Sequence, residues 1–195
     1  MPRAGLTPDV VVAEAAAVAD ETGYERLTLA AVAGRLGVAL PSLYKHVRGL
    51  GGLQTGLATL AVRELGDVLT RAAVGRSGRD ALVAVAAAYR SYVLAHPGRY
   101  AATVRAARPE DPDHKGASDE VLRTVLAVLR SYGLDGDDAV DAARTLRSAL
   151  HGFASLQAAG GFGLPRDVDR SFDRMVAALD VALRSWPSTP IPPHR

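Results

Sequence analysis

The stretch Thr28-Leu29-Ala30-Ala31-Val32-Ala33-Gly34-Arg35-Leu36-Gly37-Val38-Ala39-Leu40-Pro41-Ser42-Leu43-Tyr44-Lys45-His46-Val47 constrains this chain more than any other. It reads as two short helices joined by a tight turn. Thr28 supplies a capping hydroxyl for the first, Leu29 to Leu36. Gly37 can take the left-handed backbone that such a turn demands. A second short helix is expected over about Leu40 to Val47. Val32, Leu36, Val38, Leu43 and Val47 form the small core that fixes the crossing angle. Leu40, Pro41, Ser42, Tyr44, Lys45 and His46 are then left outside. A proline, a tyrosine, a lysine and a histidine outside so short a helix are poor packing material. They suit a surface pressed into a groove of double-stranded DNA. The competing reading packs Tyr44 and His46 against the helix that follows.

The rest of the sequence reads as helix throughout, with no alternating strand pattern and no internal repeat. Alanine, leucine, valine and arginine dominate, which favours helix. Thr7-Pro8-Asp9 opens a first helix that runs to Gly23. Gly49, Gly51 and Gly52 punctuate a link to a longer helix, about Leu53 to Ala73. A helix from Arg79 ends before Pro97, and a short one follows around Arg99 to Ala106. Pro109 to Gly116 is acidic and proline-bearing and reads as a loop, after which Ser118 caps a helix ending at Gly133. Two longer helices follow, about Asp137 to Ala159 and Asp167 to Trp186. Val168, Phe172, Met175, Val176, Leu179 and Leu183 line one face of the last. The expected fold is all-α. A three-helix, helix-turn-helix head (1–50) precedes a helical bundle body (51–186), and residues 187–195 form a proline-rich, disordered tail.

With 195 residues, 48% of them hydrophobic, a sizeable core is available. The formal net charge of +2 means that any DNA binding must come from a local patch. There is no cysteine, which excludes disulfides, thiolate metal sites and cysteine nucleophiles. The N-terminal residues lack a charged-then-apolar signal pattern, so no secretory leader is expected, and no apolar run reaches the roughly 18 to 20 residues of a membrane span. A cytoplasmic, soluble protein is expected. Gly49-Leu50-Gly51-Gly52 and Gly160-Gly161-Phe162-Gly163 follow no strand, so they are not read as phosphate cradles. The five histidines form no pair at metal-binding helical spacing. Asp135, Asp137, Asp138 and Asp141 coincide with a helix start, where the dipole favours acids. No nucleophile stands beside a base. Neither an enzyme, a metal site nor a cofactor is expected.

The helix-turn-helix stretch resembles the DNA-binding head of the TetR family. The match lies in Gly37-Val38, Pro41, Leu43-Tyr44 and His46-Val47. Pro41 and Tyr44-Lys45-His46 resemble the tetracycline-repressor branch in particular. Leu150-His151-Gly152-Phe153 resembles the His-Gly element of a TetR C-terminal subclass. The resemblance implies about nine helices, a two-fold homodimer through the last two long helices, and a ligand cavity in the body. The chain departs from the family pattern at three places. Ala39 stands where a polar cap is usual, Leu50 where a phosphate-touching lysine is usual, and Ala30 where a basic residue is common. Arg3, Arg35 and Arg48 are candidates to compensate.

Roles on DNA follow from side-chain chemistry. Thr28 offers a hydroxyl and a helix N-terminus to phosphate, and Tyr44 a phenol. Lys45 can reach guanine or phosphate, Leu40 and Pro41 thymine methyl groups, and Ser42 a base edge or phosphate. His46 suits a backbone contact. In the body, Tyr89, Tyr92 and His96 share one helical face, as do Arg144, Arg147 and His151. In a TetR-like body both helices line the cavity, where Tyr100, Arg105 and Phe153 can join them. Such a lining suits a largely apolar effector with a polar or anionic handle. The bland alternatives are core tyrosines, solvent-facing arginines, and a His151-Gly152 pair serving a dimer interface. The leading functional expectation is a ligand-responsive, dimeric repressor of a palindromic operator. The alternative is a helical ligand-binding or scaffold protein with a degenerate head.

Overall fold

Thr7 caps the first helix as its sequence requires, its hydroxyl accepting from the Val10 amide at 3.2 Å, with proline in the first turn. The computed structural model describes residues 5–104 and 111–187. Among these residues the structure is all-helical. The helices are α1 Pro8–Thr22, α2 Leu29–Leu36, α3 Leu40–Leu43, α4 Gly49–Ala73, α5 Gly78–Ala95, α6 Pro97–Ala102, α7 Pro112–Arg130, α8 Gly136–Ala158 and α9 Val168–Arg184. One turn of 3-10 helix, Tyr24–Arg26, joins α1 to α2. None of these helices is long and apolar enough to cross a membrane.

Two hydrophobic cores divide the chain. The head core gathers Val11, Ala15 and Val18 of α1, Val32 of α2, Leu43 of α3, and Leu53 and Leu57 of α4. The body core gathers Leu65 and Leu69 of α4 with residues of α5 to α9. The 25-residue α4 therefore serves both and is about 37 Å long at the usual helical rise. The expected boundary at residues 50/51 falls inside this helix, and the head core continues to Ala58. Ala102 of α6 also belongs to the head core, so a second, much shorter element joins the two regions.

Three expected elements differ. Gly49, Gly51 and Gly52 are not a linker; they form the first turn of α4. Residues 112–116 are not a loop. Pro112 and Asp113 begin α7, where a first-turn proline and an acid are both favourable. Ser118 consequently lies inside α7, its hydroxyl donating back to the His114 carbonyl at 2.9 Å. The second helix of the motif is shorter than expected, and residues 44–47 continue as hydrogen-bonded turns onto the Leu43 carbonyl. The expected disordered tail falls, from residue 188 onward, outside the described residues, as do Arg3 and Arg105.

Candidate nucleic-acid interface and body cavity

The Thr28 hydroxyl caps α2 by accepting from the Ala31 amide at 3.1 Å. Its own proton stays free to donate. Gly37 ends α2 at φ +65°, where an L side chain would be strained, and Val38 donates back to the Ala33 carbonyl at 3.0 Å. This closure ends α2 and turns the chain into α3. Val32 and Leu43 lie fully inside the head core and Val47 is buried with them, while Leu36 and Val38 pack against it. With Leu43 anchored inward, Leu40, Pro41, Tyr44 and Lys45 are turned outward, and Ser42 and His46 are half-buried. Tyr44 is 58% exposed, so most of its surface is not covered by packing against α4.

The electrostatics of this face are simple. Arg35 is held by Glu14 at 2.5 Å and by Glu21, so its charge is already neutralised within the head. Lys45 and Arg48 are exposed and have no ion pair among the described residues. Ala39 precedes α3 with no side-chain cap, which forgoes the about 0.5–2 kcal/mol that a serine or threonine supplies there. Leu50 stands exposed in the first turn of α4.

In the body, residues of α4, α5, α7 and α8 line a cavity of about 430 Å³ that is partly open to solvent. Its wall is mostly aliphatic: Leu65 and Leu69 from α4, Leu82 and Val85 from α5, Val121 and Val125 from α7, among others. Tyr89, Tyr100, Thr103, Arg144 and Arg147 bring polar groups to it. The Tyr89 and Tyr100 hydroxyls are bonded to each other, and Tyr100 reaches His151 Nδ1 at 2.6 Å. Burial pushes both phenols above their ordinary pKa, and their mutual contact raises that of Tyr89 further. Arg147 Nη2 donates to the Thr103 carbonyl at 3.3 Å.

The expected body residues therefore separate. Tyr89 and Arg147 stand in the cavity wall, and His151 stands behind Tyr100. Tyr92, His96 and Phe153 do not line the cavity. Tyr92 donates toward the Ala61 carbonyl and the Glu64 carboxylate, both at 3.1 Å, and His96 Nδ1 lies 3.3 Å from Asp20. Phe153 packs against Phe162 and Phe172 near α9. Arg144 is paired with Asp141 at 3.1 Å. Among the described residues, nothing beyond its chain neighbours and the backbone of its own helical turns lies within 4 Å of where a Cβ on Gly152 would stand, so close packing against another of these elements does not explain that glycine.

Sequence reasoning missed two features. The first is the α7 wall, whose signal was the apolar stripe Val121, Leu122, Val125 and Val128. The second is a polar joint between head and body. Asp20 of α1 accepts from the Arg99 amide at 2.8 Å, and Arg99 Nε lies 2.9 Å from the same carboxylate. The Arg99 guanidinium also meets Glu64 of α4 at 3.1 Å. Beside them, a Cβ on Gly98 would stand 2.0 Å from the Ala19 carbonyl oxygen. Only glycine lets α6 lie this close to α1.

Known proteins resemble the chain over nearly its whole length. Residues 82–179 match the family described as tetracyclin repressor-like, C-terminal domain. An uncharacterized HTH-type transcriptional regulator of Mycobacterium tuberculosis is 39% identical over 177 residues, which is 90% of this chain and 81% of that protein. Another, from Bacillus subtilis, is 33% identical over 168 residues, covering 86% and 87%. In three dimensions the chain is similar to a TetR variant from Acinetobacter baumannii AYE, crystallised in complex with minocycline. The TM-score is 0.72 at 24% identity, over 95% of this chain and 100% of that one. A protein of unknown function from Rhodococcus sp. RHA1 matches with a TM-score of 0.76 at 23% identity, over 93% and 96%. At these identities the structural matches speak for the fold.

Proposed function

The chain belongs to the TetR family of DNA-binding, helix-turn-helix transcriptional regulators, and from that premise we propose that it is a homodimeric repressor of a palindromic operator, released by a small molecule held in the body. The observation that carries the DNA-reading part is the anchoring of α3. Leu43 is fully buried, which commits Leu40, Pro41, Tyr44 and Lys45 to the outside on a scaffold with little freedom. Lys45 supplies charge for guanine or phosphate, Leu40 and Pro41 meet thymine methyl groups, and Ser42 bonds a base edge or phosphate. Thr28 and Tyr44 donate to backbone phosphate, and His46 adds a backbone contact.

Dimerisation is supported by apolar side chains that the single chain leaves uncovered around α8 and α9: Leu156 at 53% exposure, Val181 at 63% and Leu164 at 81%. A second copy would cover such a face with its own. Release by a ligand is supported by α6. Tyr100 of this helix and Thr103 just after it border the cavity, while Gly98 and Arg99 press on α1. A ligand that pushes Tyr100 outward shifts Arg99 against Asp20 and Glu64, and so moves the head relative to the body. Coupling of about 1–3 kcal/mol changes operator affinity roughly 5- to 150-fold.

The test is duplex binding by the full chain across a salt series, with Lys45→Ala alongside. Affinity falls in the variant. If Lys45 touches phosphate, the loss is uniform across sequences and the salt slope falls by about 1. If it reads guanine, specificity relaxes at one position. Unchanged affinity and slope would remove Lys45 from the interface. A monomer by sedimentation at micromolar concentration would refute the dimer.

A further inference from the structure

We propose that the body cavity takes an apolar monocarboxylate, with the carboxylate on Arg147 at the mouth and the hydrocarbon among the aliphatic side chains of α4, α5 and α7. The proposal rests on the ligand-release reading and names the class of ligand. The volume of about 430 Å³ lies within the roughly 300–1,000 Å³ of pockets that enclose small organic ligands. An aliphatic wall of this kind rewards burial of hydrocarbon. The class is then decided by which polar group lacks a partner.

The Tyr89 and Tyr100 hydroxyls and His151 Nδ1 satisfy one another in a row. Breaking that row for a neutral hydroxyl or carbonyl exchanges one hydrogen bond for another, with little gain. Of the other charged groups at the mouth, Arg144 is paired with Asp141 at 3.1 Å, and Asp119 is held by Lys115 at 2.6 Å. Arg147 differs. Among the described residues its one hydrogen bond is the 3.3 Å contact to the Thr103 carbonyl, and no carboxylate there pairs with it. A guanidinium with free N–H groups beside an apolar cavity matches a carboxylate, and the bond is charge-assisted. A cationic ligand would place a second positive charge beside Arg147 and find Asp119, the one carboxylate among the described wall residues, already occupied. The exposure of Arg147 at the opening also fits an amphipathic guest that enters chain first and leaves its head near water.

The experiment is calorimetric titration of the full-length protein with dodecanoate, 1-dodecanol and dodecylammonium, each below its micelle-forming concentration. Dodecanoate is expected to bind about tenfold or more tightly than the alcohol, and dodecylammonium most weakly. Arg147→Gln should erase the advantage of the acid and leave the alcohol unchanged, whereas Arg144→Gln should keep most of it. Arg147→Glu should turn the preference toward the ammonium, with helicity by circular dichroism confirming that each variant folds. The proposal is overturned if acid and alcohol bind alike, if none of the three binds, or if the acid's advantage survives Arg147→Gln. Operator affinity is measured separately. Arg147-dependent binding of the acid with no change in DNA affinity sinks ligand release and leaves the carboxylate site standing. Release of DNA by the alcohol as effectively as by the acid sustains the former and overturns the latter.

Discussion

In the head, Leu43, Leu53 and Leu57 are fully buried in one core, and the side chains that face outward are the ones proposed to meet DNA. In the body, Leu65, Leu82 and Val85 border a cavity, and polar groups such as Tyr89 and Tyr100 stand inside it. The first arrangement buries its core leucines completely, so its outer face is held firmly. The second leaves wall residues with room to shift when something enters. Both regions share α4, and α6 touches both through Gly98 and Arg99 on one side and Tyr100 on the other. A rigid head and a yielding body joined by two helices are what the proposed ligand release requires, since occupancy of the cavity would then move the head.

The contrast is broken most directly by equal truncations on either side of it. Leu57→Ala removes a fully buried side chain from the head core and should cost about 2–5 kcal/mol in chemical denaturation. Leu122→Ala at the exposed rim of the cavity should cost about 0.5 kcal/mol or less. Similar losses would mean that the cavity rim at Leu122 is packed as tightly as the head core.

The joint comes next in size. Gly98→Ala would place a methyl group against the α1 backbone, 2.0 Å from the Ala19 carbonyl oxygen, where nothing flexible can give way. A loss of about 1–3 kcal/mol is expected from the forced separation of α6 from α1. Thermal unfolding measures it. A neutral outcome would show that α6 is not clamped to the head.

How far the sequence reveals this follows from the distance over which each feature is encoded. Thr28, Gly37 and Leu43 obey rules that act within a few residues, so the motif and its outward face are legible in the order of residues alone. Tyr89 and Tyr92 lie three positions apart and look equivalent on a helical wheel. Yet Tyr89 meets Tyr100 of α6, whereas Tyr92 meets Ala61 and Glu64 of α4. Which neighbouring helix each one faces is tertiary information. The Asp20, Glu64 and Arg99 joint draws on three helices and is invisible to periodicity for the same reason. Pro112 is misleading because a proline can end one segment and begin the next. Here it begins one.

The smallest expected effect concerns the polar lining of the body. Burial raises the phenol pKa of Tyr89, Tyr92 and Tyr100 in the folded chain. Below about pH 10 each is neutral whether the chain is folded or unfolded, and the contribution is fully present. Above that, the unfolded chain loses its protons first, so stability falls as pH rises, by at most about 1.4 kcal/mol per pH unit for each such tyrosine. Tyr89→Phe should therefore flatten the alkaline limb of stability against pH, followed by denaturant midpoints between pH 9 and 11. An unchanged limb would place the Tyr89 hydroxyl in water and not in the wall.

The central claim is that an anchored α3 reads DNA as one of a symmetric pair, and selection from a pool of random-sequence duplexes by the full-length protein tests it most directly. The expected result is enrichment of an inverted repeat whose half-site centres lie about 34–36 Å, one helical turn, apart, with binding that weakens as salt rises and enrichment that is lost or blurred in Lys45→Ala. A pool that stays random, or a single unpaired site held equally well by Lys45→Ala, would contradict it.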